Sequence, residues 1–375
     1  MPKLSVTIVA RNEEQNLPRA LASVASIADE IIVTDTGSTD GTLDVARQFG
    51  ARIGAFAWID DFAAAHNHAK SLATGDWIFA LDADEELLAD SQNELISLLA
   101  ASEVIAYHVL RQDLVDAGRP DHFAEMWQTR LYRNLPELRF QGRCHHHFSP
   151  SVEVVAEQAK LAVRESGVRL RHYGYLPTLR EEKLGRAARL LELELQDRPG
   201  QFYYLVELGV TLLALRDERG LQRLAEAAQM INDRDPQVCG APLAMLLEHI
   251  LAAPKLPESF PLSREQATTL ALQAFPDAPP LLWHIAGAHY GQGKFTEAAA
   301  LLERLISLGQ NKHYNRLVSF DPAIMGDDAK LNLAACWVRL GRFRQAKECL
   351  RALLDSPTRG QEAAANLKSI KGLRA

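Results

Sequence analysis

Two stretches decide how the first half of this chain folds. Leu4-Ser5-Val6-Thr7-Ile8-Val9-Ala10 runs at once into Arg11-Asn12-Glu13-Glu14, and Trp77-Ile78-Phe79-Ala80-Leu81 runs into Asp82-Ala83-Asp84. Each is a short, nearly continuous apolar run that stops at charge. A strand covered by helices on both faces reads this way, whereas a strand wetted on one face alternates. Glu30–Thr34 repeats the pattern and Arg52–Ala57 reads as a further strand, with helical patterns between them. Strand then helix, repeated, predicts an α/β fold with a mostly parallel sheet. Ligands of such open sheets bind beyond the carboxyl ends of the strands. The candidates for chemistry are therefore Arg11-Asn12-Glu13-Glu14, Asp35-Thr36-Gly37-Ser38 and Asp82-Ala83-Asp84.

From about Thr178 the strand signals fade, and leucine and alanine recur at helical spacing. Ile285-Ala286 with Gly293, Phe295 and Ala298 is echoed by Leu333-Ala334 with Gly341, Phe343 and Ala346. Small residues at such offsets let two helices approach while the aromatic fills the notch between them, as in a tetratricopeptide pair. A weaker echo begins at Leu208-Gly209. Proline-rich stretches at Ala253–Pro261 and Pro276–Pro280 are expected to be turns or linkers between helix pairs. The expected division is an α/β domain over 1–177 followed by an all-α, tetratricopeptide-like domain over 178–375. A chain of 375 residues has room for two or three domains.

Composition narrows the partners. Forty-one Lys and Arg against 48 Asp and Glu give a net charge of −7, which argues against a broad surface for nucleic acid or anionic lipid. A local basic cleft for one diphosphate would not show in that total. Cys144, Cys239, Cys336 and Cys349 are widely spaced with no CxxC pair, so neither a zinc knuckle nor a disulfide framework is suggested and a reducing compartment fits best. The opening MPKLSVTIVARNEE has too short an apolar run for a cleaved leader, and no later stretch reaches the ~18 uninterrupted apolar residues of a membrane span. The expectation is a cytoplasmic protein with no transmembrane segment, any membrane contact being peripheral at the inner face.

Asp82 and Asp84 are two carboxylates on a tight turn at the mouth of the sheet, a hard-oxygen set that suits Mg²⁺ or Mn²⁺. A solvated acidic loop is the plainer reading of a lone DxD. In Asp35-Thr36-Gly37-Ser38-Thr39-Asp40-Gly41-Thr42, a capped strand-to-helix connection accounts for Ser38, Asp40 and the glycines. It accounts less well for Asp35, whose carboxylate could accept a hydrogen bond from a base or ribose.

With VARNEE, EIIVTDTGSTDGT, AWIDDFAAAHNHA and GDWIFALDADEEL on the page, the N-terminal part resembles glycosyltransferase family two, nucleotide-sugar transferases with a Rossmann-like fold. The likeness is dense over about residues 4–90 and looser on to Tyr175. The DDFA variety with a tetratricopeptide-like tail looks like a bacterial subgroup that includes peptide S-glycosyltransferases. The resemblance implies that Ala10, Arg11, Asn12 and Glu14 lie against the nucleoside, that Asp35 reads the base, often uracil, and that Ser38 belongs to the same nucleotide-facing loop. Asn67 and Lys70 fall where the subgroup has nucleotide-facing residues, and His66 stands where it often has arginine. Asp82 would contact ribose or a metal-bound water, and Asp84 would hold the divalent ion. His172 in RLRHYGY would be its further protein ligand, because relatives carry a similar segment where the catalytic domain ends.

A transfer of this kind also needs a base for the acceptor proton. Many relatives have F-x-G-x-x-H-E; here Phe140-Gln141-Gly142-Arg143-Cys144-His145-His146 puts His146 in place of the glutamate, and Glu125 is a second candidate. Cys144 with the three successive histidines could instead form a transition-metal cluster, but neighbours in a strand point to opposite faces and do not converge without a turn. Trp58 and Trp127 are candidates to flank the sugar, although burial is the commoner use of tryptophan.

The reading is a metal-dependent, inverting glycosyltransferase acting on a nucleotide diphosphate sugar, UDP-linked by preference, with a glycan, lipid-linked or peptide acceptor. Inversion rests on the resemblance; direct displacement needs one base and no protein nucleophile. The alternative is a catalytically inactive scaffold whose helical repeats hold a protein partner. A dehalogenase-type phosphatase is disfavoured because Glu85-Glu86 follow the DxD, and a dinucleotide oxidoreductase because RNEE stands where a glycine-rich loop would be.

Overall fold

The computed structural model describes residues 2–116, 118–119, 122–174, 177–231 and 236–372; Tyr175 lies outside them. The four expected strands form as β1 (Leu4–Ala10), β2 (Glu30–Asp35), β3 (Arg52–Ala55) and β4 (Trp77–Ala80). They are mutually parallel in the order β3-β2-β1-β4 and carry helices α1 (Leu17–Val24), α2 (Thr42–Gln48) and α3 (Phe62–Leu72) between them. The core is what the apolar runs predict: Leu4, Val6, Ile8, Val33, Trp77 and Phe79 are fully buried, packed with Leu17, Leu21 and Val24 of α1.

The sheet then continues beyond what the sequence signals. β5 (Glu85–Leu87) follows the acidic turn directly and leads through α4 (Gln92–Leu98) to the long strands β6 (Val104–Leu114) and β7 (Phe123–Arg133). A short hairpin of β8 (Phe140–Gln141) and β9 (His147–Phe148), then α5 (Val152–Ala159), precedes β10 (Ala162–His172). The eight-stranded order is β3-β2-β1-β4-β7-β6-β10-β5, with β7 antiparallel to both neighbours and β5 antiparallel to β10. Between Tyr107 and His108 the β6–β7 register slips, so Arg130 is the unopposed residue of a bulge. Bulges re-aim side chains, and this one matters below.

The compact units divide at Asp217/Glu218, forty residues after the compositional change at 178. The reason is packing. Helices α6 (Pro177–Asp197) and α7 (Phe202–Ala214) bury Leu190, Leu191, Tyr204 and Leu208 with Cys144, Trp58 and Phe62 in one cluster of the first unit. Arg189 pairs with Asp60, Arg143 with Asp197, and buried Glu194 accepts the Arg143 backbone N–H at 2.8 Å.

The second unit, Glu218–Ala375, is helical throughout its described elements: α8 (Arg219–Gln229), α9 (Pro236–Ala252), α10 (Arg264–Ala274), α11 (Pro279–Gly291), α12 (Phe295–Asn311), α13 (Asp327–Arg339), α14 (Phe343–Arg351) and α15 (Gly360–Gly372). The two echoing motifs are the pairs α11–α12 and α13–α14. Gly293 and Gly341 adopt φ of 77° and 72° between the helices, left-handed conformations that favour glycine. Ala286, Ala298, Ala334 and Ala346 are buried where the helices approach. Of the proline-rich stretches, Ala253–Pro261 is non-helical, whereas Pro279 and Pro280 open α11, where a missing N–H costs nothing.

Candidate active site

Because β1, β2 and β4 are parallel, their carboxyl ends lie on one edge. Asp35 ends β2, Arg11 follows β1, and Asp82 and Asp84 follow β4. β1 separates β2 from β4, so two interstrand steps, about 10 Å, lie between the two acidic tips. That span suits a nucleoside at one tip and its phosphates at the other.

The β1 and β2 tips are tied into one surface. Asn12 adopts φ 55°, receives a hydrogen bond from the Thr39 backbone at 2.8 Å, and its own N–H donates to Ser38 Oγ at 2.9 Å. Glu14 accepts the Gly41 N–H, and Thr42 accepts the Glu13 N–H. Asp35 accepts from the N–H groups of Gly37 and Ser38, so its carboxylate orders its own turn. Ala10 is buried beneath this surface and Arg11 is exposed on it.

At the β4 tip the chain turns from Asp82 straight into β5, which pairs with β10 so that Glu85 lies opposite His172. The Tyr173 N–H donates to the Asp84 carbonyl at 3.0 Å. This pairing brings His172, 88 positions away in the chain, against Asp84. Its Nε2 lies 3.4 Å from Asp84 Oδ2, and its Nδ1 lies 2.7 Å from Asp113 of β6. Lys183 of α6 places Nζ 2.5 Å from the same Asp84 oxygen. Burial opposes charging His172, but the hydrogen bonds to Asp113 and Asp84 outweigh it and raise the imidazole pKa to about 9. Burial likewise opposes the Asp84 carboxylate, yet the hydrogen bond and charge of His172, with Lys183, hold its pKa below the usual range.

Asp82 is committed to Arg130, which the bulge in β7 turns toward it at 2.7 Å while also reaching Glu85 at 2.6 Å. Arg111 of β6 pairs with Asp113 at 2.7 Å and lies 3.9 Å from Glu85. Packing opposes the charge on Asp82, but Arg130 overcomes it and depresses its pKa; for fully buried Glu85 burial wins, and its pKa is raised. None of Arg111, Asp113, Arg130 or Lys183 carries a motif. Glu13, whose pKa is raised by burial and then by the Asp84 charge, also faces this group.

The three successive histidines diverge. His145, at φ 50°, lies 3.7 Å from Glu207 of α7. Burial opposes its charge, but Glu207 raises its pKa to about 10. His146 stacks at 4.4 Å on His66, beside Phe140, in the field of Asp82 and Arg130. His147 turns to Tyr203. Burial lowers His66 to about 4, and burial with the neighbouring His66 lowers His146 well below its ordinary value.

Four expected residues are engaged elsewhere. Asn67 exchanges two hydrogen bonds with the Phe140 backbone, at 2.8 and 3.0 Å, and Lys70 donates to the Leu135 carbonyl at 2.7 Å. Helical spacing puts both on the face of α3 that clasps the 135–140 segment, not toward a nucleotide. Glu125 sits opposite Gln112, whereas Arg111, opposite Met126, lies on the other face with Asp113 and His172. Glu125 is therefore not gathered with the carboxylates at the β4 tip. Trp58 donates to Asp60 and, half-buried, packs against Phe62 at the margin of the α6–α7 cluster.

The residues present fit a divalent ion. A Cβ added at Gly174 would collide with Asp84 Oδ2 and come within 2.5 Å of both His172 Nε2 and Lys183 Nζ, so the missing methyl leaves a cradle facing one carboxylate and one imidazole. Among the described residues no group of three or more His, Cys, Asp or Glu is placed to hold a metal. Two protein donors suit Mg²⁺ or a similar hard ion, which keeps waters and takes substrate phosphates for the rest. Asp113 on His172 Nδ1 is the usual carboxylate support for a ligating histidine.

An open α/β sheet with an acidic turn, an imidazole and a cation at its carboxyl edge has the features from which ligand sites of such sheets are built. Residues 5–154 match the family model for glycosyl transferase family 2, and residues 328–357, over α13 and α14, match a tetratricopeptide repeat. Residues 5–154 are thus similar to a family 2 glycosyltransferase domain, and the α13–α14 pair to a tetratricopeptide repeat. Over 229 residues it is 39% identical to a TPR repeat-containing protein of Synechococcus elongatus, covering 60% of this chain and 55% of that one. Over 137 residues it is 36% identical to an uncharacterized glycosyltransferase of Rickettsia felis, covering 35% and 48%. The chain spans about half the length of these curated relatives. A solved glucosyl-3-phosphoglycerate synthase from Mycobacterium tuberculosis overlaps 53% of this chain and 79% of its own at 20% identity, with a TM-score of 0.37. No described helix is long and apolar enough to cross a membrane.

Proposed function

We propose that this protein transfers a sugar, with inversion and with the help of a divalent ion, from a nucleotide diphosphate sugar, UDP-linked by preference, to a glycan, lipid-linked or peptide acceptor. The observation that carries the reading is the convergence of Asp84, His172 and Lys183 around the Gly174 cradle at the carboxyl edge of a family 2 domain. The Asn12, Asp35 and Ser38 surface then receives the nucleoside, with Ala10, Arg11 and Glu14 around it. Asp84 and His172 hold the ion, and Asp82, fixed by Arg130, lies beside it.

A bound Mg²⁺ or Mn²⁺ supplies Lewis-acid stabilisation to the departing diphosphate. The acceptor oxygen or sulfur attacks the anomeric carbon, the bond from that carbon to the β-phosphate oxygen breaks, and its electron pair leaves with the diphosphate. His146 takes the acceptor proton. It lies in the field of Asp82, and its lowered pKa keeps a ring nitrogen free to accept. The same shift makes it a weak base. The helical unit presents the acceptor or a partner protein, on the cytoplasmic side, with membrane contact peripheral where the acceptor is lipid-linked.

Thermal unfolding with UDP, GDP and Mn²⁺ tests the reading. A nucleotide at a hundredfold over its Kd stabilises the folded chain by about 2.7 kcal/mol. A clear rise in Tm with nucleotide and Mn²⁺ is expected. No rise with any combination would contradict the reading and favour an inactive scaffold.

A further inference from the structure

We propose that Lys183 is the chain's own cation for the diphosphate: it neutralises Asp84 while the cleft is empty and pairs with the donor's phosphate oxygens once a divalent ion takes that carboxylate. The proposal rests on the reading above and adds to it a residue from outside every motif of the domain.

Asp84 Oδ2 is shared. Lys183 Nζ lies 2.5 Å from it and His172 Nε2 3.4 Å from it, on the same open side that Gly174 leaves clear. A divalent ion needs that oxygen. A divalent ion on that oxygen puts two further positive charges within a few ångströms of the ammonium, and repulsion at that separation weakens the Lys183–Asp84 contact.

The displaced ammonium has somewhere to go. The Lys183 side chain is 31% exposed, against 12% for Asp84, and its flexible four-carbon stem is rooted on α6 at the rim of the cleft. Arg186, one turn further along α6 and exposed, shares the same neighbour, Glu13. Both therefore put positive charge near Glu13. A diphosphate arriving with the ion brings the negative oxygens that a displaced ammonium would seek. Lysine suits this exchange better than arginine, because a compact point charge with rotatable donors can swap partners without matching a planar fork.

Calorimetry on the full chain tests this with three titrants: Mn²⁺ alone, UDP alone, and UDP with Mn²⁺. In Lys183→Met, Mn²⁺ alone should bind several-fold more tightly than in the wild type, because its competitor is gone. UDP with Mn²⁺ should bind roughly tenfold more weakly, the loss expected for one charge-assisted contact. Lys183→Arg should recover part of the nucleotide affinity, which a merely structural role would not predict. Unchanged affinity for UDP with Mn²⁺, or weaker binding of Mn²⁺ alone, would overturn the role of Lys183. A wild-type chain that binds neither titrant would overturn the reading of the site itself and this proposal with it, so the two failures are distinguishable.

Discussion

Asp113 holds His172: its Oδ1 lies 2.7 Å from Nδ1, which turns Nε2 toward Asp84 Oδ2 at 3.4 Å. The two carboxylates come from different strand ends, and the histidine between them is placed by the β5–β10 pairing. With its pKa raised to about 9, the ring carries both protons near neutral pH, and a divalent ion held by His172 would have to displace the one on Nε2.

Gly174 keeps the space in front of that nitrogen. Its φ lies outside the left-handed region, so alanine is tolerated by the backbone but not by Asp84, His172 and Lys183. Gly174→Ala should weaken Mn²⁺ binding by tenfold or more, on the order seen when support around a metal ligand is lost, with near-wild-type circular dichroism. Unchanged Mn²⁺ affinity would show that the cradle is not the ion site.

Arg130 is the cation in contact with fully buried Glu85, which also accepts the Asp82 backbone N–H, and the same guanidinium fixes Asp82. Arg130→Met should destabilise the fold by about 3–5 kcal/mol, because it strands a buried charge. Adding Glu85→Gln should restore part of that loss. Denaturant unfolding of the four members of the double-mutant cycle reads the coupling; additive effects would refute it.

Asn67 acts as a clasp. Asn67→Ala loses both hydrogen bonds to the Phe140 backbone and should cost about 1–3 kcal/mol of stability, with UDP affinity unchanged in calorimetry. A selective loss of nucleotide binding would return Asn67 to the nucleotide site.

His66 makes stability depend on acid. In the fold it stays neutral down to about pH 4, whereas the unfolded chain takes up a proton below 6.5. No penalty exists above 6.5, and the fold loses up to about 3 kcal/mol as pH falls from there toward 4. His146 acts in the same direction. His66→Phe should flatten the decline of Tm between pH 6.5 and 4. An equally steep decline in the variant would contradict the assignment.

The first 84 residues were legible because both faces of the early strands are covered: apolar runs then mark the strands and the charge after each run marks the edge. The motifs singled out Asp82 and Asp84 and the resemblance singled out His172, which the β5–β10 pairing brings beside Asp84. Arg130 was hidden because its direction depends on a bulge, a register slip that no local pattern announces. β5 was hidden because Glu85-Glu86-Leu87 carries no apolar run; its pairing with β10, with Glu85 buried against Arg130 and Arg111, makes it a strand. Lys183 lies in a helix whose composition belongs with the second half and whose packing belongs with the first. The bonds of Asn67 and Lys70 to the 135–140 backbone were hidden because that segment is far away in sequence.

The most direct test is nucleotide-sugar hydrolysis by the full chain, across UDP- and GDP-sugars, with Mn²⁺ or with EDTA, for the wild type beside Asp84→Asn. The account predicts turnover that requires the ion and falls on the order of a hundredfold or more in the variant, whose circular dichroism stays that of the wild type. Equal turnover in EDTA, or a fully active Asp84→Asn protein, would contradict it.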